Sequence, residues 1–88
     1  MKIKKGFVKR KIGDDYLVVT VGELSKTNGI MITLNETSSD IWDMVEKGYT
    51  KEKIAEELTK LYNVSLEKAA LDTEKVINLM AENGIIEE

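Results

Sequence analysis

The amino-acid sequence predicts an α+β fold in which a three-stranded antiparallel sheet is followed by three helices, in a winged-helix-like order. Up to Leu34, apolar and polar residues alternate between clusters of glycine and polar residues, which is typical of strands. From Asn35 onward, apolar residues recur three and four positions apart, which indicates helices. A chain of 88 residues has room for one hydrophobic core, so we expect a single domain over residues 1–88.

Three strands are expected between about residue 7 and residue 34. Phe7 to Ile12 and Tyr16 to Val21 are rich in β-branched and aromatic residues and flank a Gly-Asp-Asp turn, so they form a predicted hairpin. Residues 22–29 contain Ser, Thr, Asn and two glycines and are expected to form a polar loop. Ile30 to Leu34 follows as the third strand, because its apolar residues alternate with Met31 and Thr33.

Three helices are expected between about residue 36 and residue 83, and each begins at a capping residue. Asn35, Thr50 and Ser65 are the predicted N-caps, and glycines at 48 and 84 end the first and third helices. Ile85 and Ile86 form an apolar tail that pairs with a strand or covers the core. The residues expected to face the core are Ile41, Trp42 and Val45, then Ile54, Ala55, Leu58, Leu61 and Tyr62, then Leu66, Ala69, Ala70, Thr73, Val76, Ile77 and Met80.

The residue types that the sequence lacks limit the possible chemistry. It contains no Cys and no His, which removes thiolate nucleophiles, disulfides, the commonest general base and the commonest metal ligand. Its six glycines are scattered singly, so no phosphate-binding loop is present. These absences argue against a nucleophile-based or metal-based enzyme. No run of about 20 apolar residues and no secretion signal is found, so we expect a cytoplasmic protein without membrane contact.

The third strand and the third helix carry the candidate binding residues. A meander places Ile30 to Leu34 at a sheet edge, and this strand has no charged residue to guard it. It is either covered by a loop, by the C-terminal tail or by a second copy in a homodimer, or it is a docking edge for an extended peptide. On that second interpretation, Pro in place of Ile32 should abolish binding by removing a backbone donor. The candidate peptide-binding residues on the strand are Ile30, Met31, Ile32, Thr33 and Leu34.

On the third helix, Leu71 and Leu79 lie outside the core-facing stripe, on the same side as Lys75. They are either ordinary exposed leucines or a second wall that receives the apolar side chains of a partner. Leu71, Lys75 and Leu79 complete the set of candidate peptide-binding residues.

The charge distribution bears on a nucleic-acid alternative. Residues 1–34 carry seven basic against three acidic side chains, and residues 35–88 carry six against thirteen. A winged-helix DNA-binding regulator would place its third helix in a groove of the duplex. That helix has Lys68 and Lys75 against four acidic residues, which is a poor match for phosphates. We therefore expect no nucleic-acid partner, while the basic sheet suits a partner with acidic side chains.

Several segments together resemble the PqqD-like family. The first is Met31-Ile32-Thr33-Leu34-Asn35-Glu36-Thr37 followed by Ile41-Trp42; the second is Gly48, Ile54-Ala55, Leu58 and Tyr62-Asn63-Val64; the third is Ala69, Asp72, Leu79 and Gly84-Ile85-Ile86. The resemblance implies a non-catalytic recognition element, without a cofactor, for ribosomally made and post-translationally modified peptides. It also implies that a leader peptide adds a strand to the third strand, packs against the third helix and is presented to a modifying enzyme, often a radical SAM enzyme.

Overall fold

The predicted α+β class is confirmed by the computed structural model, which describes residues 1–27 and 29–87. A three-stranded antiparallel sheet in the order β2-β3-β4 packs on helices, and β1 pairs with β5 in a separate two-stranded sheet. The elements in chain order are β1 Lys2–Ile3, β2 Phe7–Ile12, β3 Asp15–Thr20, α1 Glu23–Thr27, β4 Met31–Leu34, α2 Glu36–Glu46, α3 Lys51–Tyr62, α4 Leu66–Glu82 and β5 Ile86–Glu87.

Two short elements differ from the sequence-based expectation. The predicted polar loop over residues 22–29 contains the short helix α1. Gly22, which precedes this helix, has a positive φ of 65°. Asn28 of the predicted loop lies outside the described residues. The apolar tail both covers the core and pairs with a strand: Ile85 is buried, and Ile86 lies opposite Ile3 of β1. The N-terminal strand β1 was not predicted. It exists because the two ends of the chain meet, and the N–H of Lys4 donates to the Ile85 carbonyl at 2.8 Å.

The three predicted N-caps are confirmed at the starts of α2, α3 and α4. The Asn35 side-chain oxygen accepts from the Ser38 N–H at 2.8 Å, and the Thr50 and Ser65 hydroxyls accept equivalent bonds at 3.1 Å each. Each bond satisfies a backbone donor that the first turn of a helix leaves unpaired. The helix boundaries therefore follow from local chemistry that is readable in the sequence.

The core lies between the inner face of the sheet and the three long helices. Trp42 is 2% exposed and is the largest fully buried side chain. Three residues expected in the core stripes, Leu61, Leu66 and Ala70, are exposed instead. Leu66 is the first residue of α4, and Ala70 lies about 80° from the centre of the buried face at 100° per residue. The true stripe on α4 is narrower than expected and consists of Ala69, Thr73, Val76, Ile77 and Met80.

Lys9 connects the sheet to α2 through a half-buried ion pair. Its position opposite Val18 turns the side chain toward the core, where Nζ lies 5.1 Å from the centre of the Tyr16 ring. Nζ donates to the Ser39 hydroxyl at 2.6 Å and to the Asp43 carboxylate at 2.5 Å. Strand alternation directs Lys9 toward the inner face, and α2 supplies acceptors for its ammonium group.

A left-handed residue joins α3 to α4. Asn63 follows α3 with φ 51° and ψ 45°. This left-handed conformation is tolerated by Gly and Asn but is unfavourable for most other residues, such as Ala. We expect Asn63→Ala to lower the free energy of unfolding by about 1 kcal/mol. Urea denaturation measures this change, and Asn63→Gly is the control that should leave stability within about 0.5 kcal/mol. Equal losses in both variants would contradict a conformational origin.

Within the described residues, no helix has both the length and the apolar character that crossing a bilayer requires.

Candidate functional site

The two edges of the main sheet differ in charge. The edge strand β2 contains Lys9, Arg10 and Lys11, and charged residues on an edge discourage pairing with another chain. The opposite edge strand β4 reads Met-Ile-Thr-Leu and has no charged residue. No strand in the part of the chain that the structure describes pairs with its outer side. The edge of β4 is therefore the one available for an additional strand.

The direction of the backbone hydrogen bonds shows which groups of β4 are free. In an antiparallel ladder, successive residues direct their N–H and C=O groups alternately to the two sides of the strand. The Thr20 N–H donates to the Ile30 carbonyl at 3.3 Å, so this opposed pair is hydrogen-bonded. Ile32 lies two residues further along the same ladder and therefore bonds to β3 as well. The outward-directed main-chain groups are those of Met31 and Thr33.

This alternation changes the choice of residue for a proline test. Pro at Ile32 would remove a donor that pairs β4 with β3 and so would damage the sheet itself. The informative position is Thr33, whose N–H is directed away from β3. The sequence shows the uncharged edge but not its hydrogen-bonding phase, because that phase depends on the register with β3.

The side chains of the predicted strand Ile30 to Leu34 divide between the two faces of the sheet. Leu34 is buried and Ile32 is half-buried on the core side, whereas Met31 is 74% exposed on the outer side beside exposed Thr33. Ile30 precedes β4, and its N–H donates to the Thr20 hydroxyl at 3.2 Å. An added strand would meet apolar side chains on the inner side and exposed Met31 on the outer side.

The helix α4 has a stripe of charged and apolar residues beside its buried face. At about 100° per residue, Lys68, Asp72, Lys75 and Leu79 fall within about 60° of one another. Lys68 and Asp72 form an ion pair with Nζ–oxygen distances of 3.1 and 3.0 Å. Leu79 is 37% exposed and adjoins the stripe, whereas Leu71 is 52% exposed and lies about 40° further from the buried face than Lys75 does.

A cavity of about 480 Å³ lies between the start of α2, the end of α3 and this stripe of α4. Its floor is apolar and its rim is polar. Asn35, which directly follows β4, is part of the lining, so the cavity opens where the strand ends. The lining residues are Asn35, Thr37, Ser38, Ile41, Leu58, Tyr62, Val64, Lys68, Ala69, Asp72, Lys75 and Val76.

Only one of the predicted site residues, Lys75, lines this cavity. Residues 30–34, Leu71 and Leu79 lie outside its lining, and the sequence-based reasoning did not identify Ser38, Tyr62 or Val64 as site residues. The helical stripe of Lys68, Asp72 and Lys75 is visible in the sequence and could have indicated the polar rim. The contributions of α2 and α3 depend on how the helices pack and leave no sequence pattern.

Tyr62 forms part of the cavity wall through a hydrogen bond to α2. Its hydroxyl donates to the Asp40 carboxylate. Burial, and then this bond to Asp40, raise the pKa of Tyr62 above its ordinary value. Tyr62 is a protonated donor at neutral pH, and its bond to Asp40 joins the end of α3 to α2 at the cavity.

The chain is similar to a known protein family and to a solved structure. The family model described as coenzyme PQQ synthesis protein D (PqqD) matches residues 19–86. None of the curated proteins gives a significant match to the chain. A solved structure titled "TbiB1 in Complex with the TbiA(beta) Leader Peptide" superposes with a TM-score of 0.81 at 23% identity, covering 99% of this chain and 95% of that chain. That similarity confirms the fold.

Proposed function

Since the chain belongs to the PqqD family, we propose that it is a non-catalytic protein that binds the leader of a ribosomally made precursor peptide. It presents that precursor to a modifying enzyme, such as a radical SAM enzyme. The observation that carries this proposal is the free, uncharged edge of β4, which ends at the cavity that α4 helps to line. The similar structure of TbiB1, which was solved with a leader peptide, supports the same ligand class.

In this proposal the leader adds a strand to β4. The main-chain groups of Met31 and Thr33 supply the hydrogen bonds of the new ladder, which are independent of the leader's side chains. Alternate leader side chains turn inward, toward the cavity and the adjoining stripe of α4, which together are called the groove, and shape and charge select them there. The proposed contact residues are Ile30, Met31, Ile32, Thr33, Leu34, Leu71, Lys75 and Leu79.

The proposed role requires no chemical step by this chain. Holding the leader keeps the rest of the precursor close to the modifying enzyme and raises its effective concentration there. A ribosomally made precursor is synthesised in the cytoplasm, and the proposed function places this chain in the same compartment. No cofactor is needed for binding of this kind.

The proposal is tested by titrating the isotope-labelled chain with synthetic leaders of the short reading frames adjacent to its gene. We expect NMR shifts to concentrate in residues 30–38 and in α4, with a scrambled leader as the control. Unchanged spectra for every leader would overturn the proposal. Binding to duplex DNA that weakens steeply with salt would favour the regulator instead, although the acidic α4 argues against that outcome.

Self-association would use the same edge of β4. Two copies paired strand to strand would protect the unguarded backbone groups in the absence of a leader. Sedimentation at several concentrations should show whether the free chain is a monomer or a homodimer. If it is a dimer, the leader should dissociate it, because both partners compete for the main-chain groups of Met31 and Thr33.

A further inference from the structure

The cavity beside β4 has one charged side chain on its rim that is not neutralised. Three charged residues line it, and two of them, Lys68 and Asp72, are paired with each other at 3.0 Å. Lys75 is exposed, and in the described part of the chain it has no ion-pair partner. Strand β4, which ends next to the cavity at Asn35, has no charged residue. The groove therefore presents a single unpaired positive charge above an apolar floor.

The spacing of the α4 stripe matches the spacing of an extended peptide. Lys75 and Leu79 are four residues apart, which is a rise of about 6.0 Å along the helix. Side chains on one face of a strand recur every two residues, or about 6.6 Å. A peptide that runs along α4 and places a carboxylate at Lys75 therefore places the residue two positions away at Leu79 or, in the other direction, over the cavity.

The cavity is suited to an apolar side chain at that second position. Ile41, Leu58 and Ala69 form buried parts of its lining, and its volume of about 480 Å³ exceeds the space that one large side chain fills. Burying such a side chain supplies the non-directional part of the affinity, and the ion pair fixes the register of the peptide.

We infer that the groove selects a leader segment in which Asp or Glu lies two residues from a large apolar residue, with the carboxylate paired to Lys75. This inference rests on the proposed function and adds the chemical class of the ligand. Lys75 is then a specificity-determining residue, and the Lys68–Asp72 pair is a neutral neighbour that leaves the selection to it.

The test is a selection of random linear peptides from a display library against three forms of the chain. These are the natural chain, Lys75→Glu, and the matched control Lys51→Glu. Lys51 is exposed at the start of α3 and lines a different cavity, on the opposite side of α4. An acidic residue in the first turn of a helix is tolerated, so the control makes the same charge change without harming the fold.

The natural chain and Lys51→Glu should both enrich peptides that have an acidic residue two positions from a large apolar one. Lys75→Glu should enrich Lys or Arg at that same position. A resynthesised peptide with Glu there should bind Lys75→Glu about fivefold more weakly than it binds the natural chain, which is typical for reversing one exposed pair.

The outcomes separate this inference from the function on which it rests. Peptides that bind at β4 by NMR mapping, but without an acidic preference or with the same preference in Lys75→Glu, would overturn the inference and leave peptide binding intact. Failure to recover any peptide that maps to β4 would overturn the proposed function, and the inference with it.

Discussion

Thr33→Pro is expected to weaken leader binding by at least about tenfold while leaving the chain folded. The N–H of Thr33 is directed to the free side of β4, so its removal breaks no bond to β3. The proline ring would occupy the space of the incoming strand and leave a leader carbonyl without its donor. An unmatched polar group in a desolvated ladder costs about 1–3 kcal/mol in addition to the lost bond, so affinity should fall by at least about tenfold.

The matched control for this change lies on the opposite edge of the sheet. Lys11 of β2 is exposed and stands opposite Tyr16, in the phase that directs its N–H away from β3. Lys11→Pro should therefore make the same backbone change without affecting the leader. Calorimetric titration measures both affinities, and circular dichroism checks the fold. Equal affinity in Thr33→Pro and the natural chain would exclude strand addition at β4.

Much of the fold was predictable because its signals are local. The caps Asn35, Thr50 and Ser65 each bond to a backbone N–H three residues later, so sequence proximity alone specifies these contacts. The uncharged edge of β4 was predictable for a similar reason, since both its composition and its place at the end of the meander are readable from one short segment.

The features that the sequence did not predict depend on contacts between distant residues. The pairing of β1 with β5 joins residues at the two ends of the chain, such as Lys2 and Glu87. The cavity is lined by residues of three helices. Two of these helices are joined by the bond from Tyr62 to Asp40, which lies 22 positions earlier in the chain. In addition, the free N–H of Thr33 follows from the register with β3 and not from the composition of β4.

Lys9 shows how such a long-range contact affects stability. Lys9 lies in an edge strand, yet its ammonium group reaches α2 and lies close to the hydroxyl of Ser39 and the carboxylate of Asp43. Only 14% of the Lys9 side chain is exposed, against 48% of that of Asp43, so solvent weakens the pair on one side.

We expect Lys9→Met to lower the free energy of unfolding by about 2 kcal/mol, because methionine keeps the apolar stem and removes only the charged donor. The buried Ser39 hydroxyl would lose the ammonium donor, and the sheet would lose its polar connection to α2. Urea denaturation measures the change, and Lys11→Met, an exposed lysine on the same side of the same strand, should alter stability by less than about 0.5 kcal/mol. Equal effects of the two substitutions would mean that the Lys9 contacts contribute nothing beyond an ordinary surface lysine. A larger effect of Lys9→Met would confirm that these contacts stabilise the fold by joining β2 to α2.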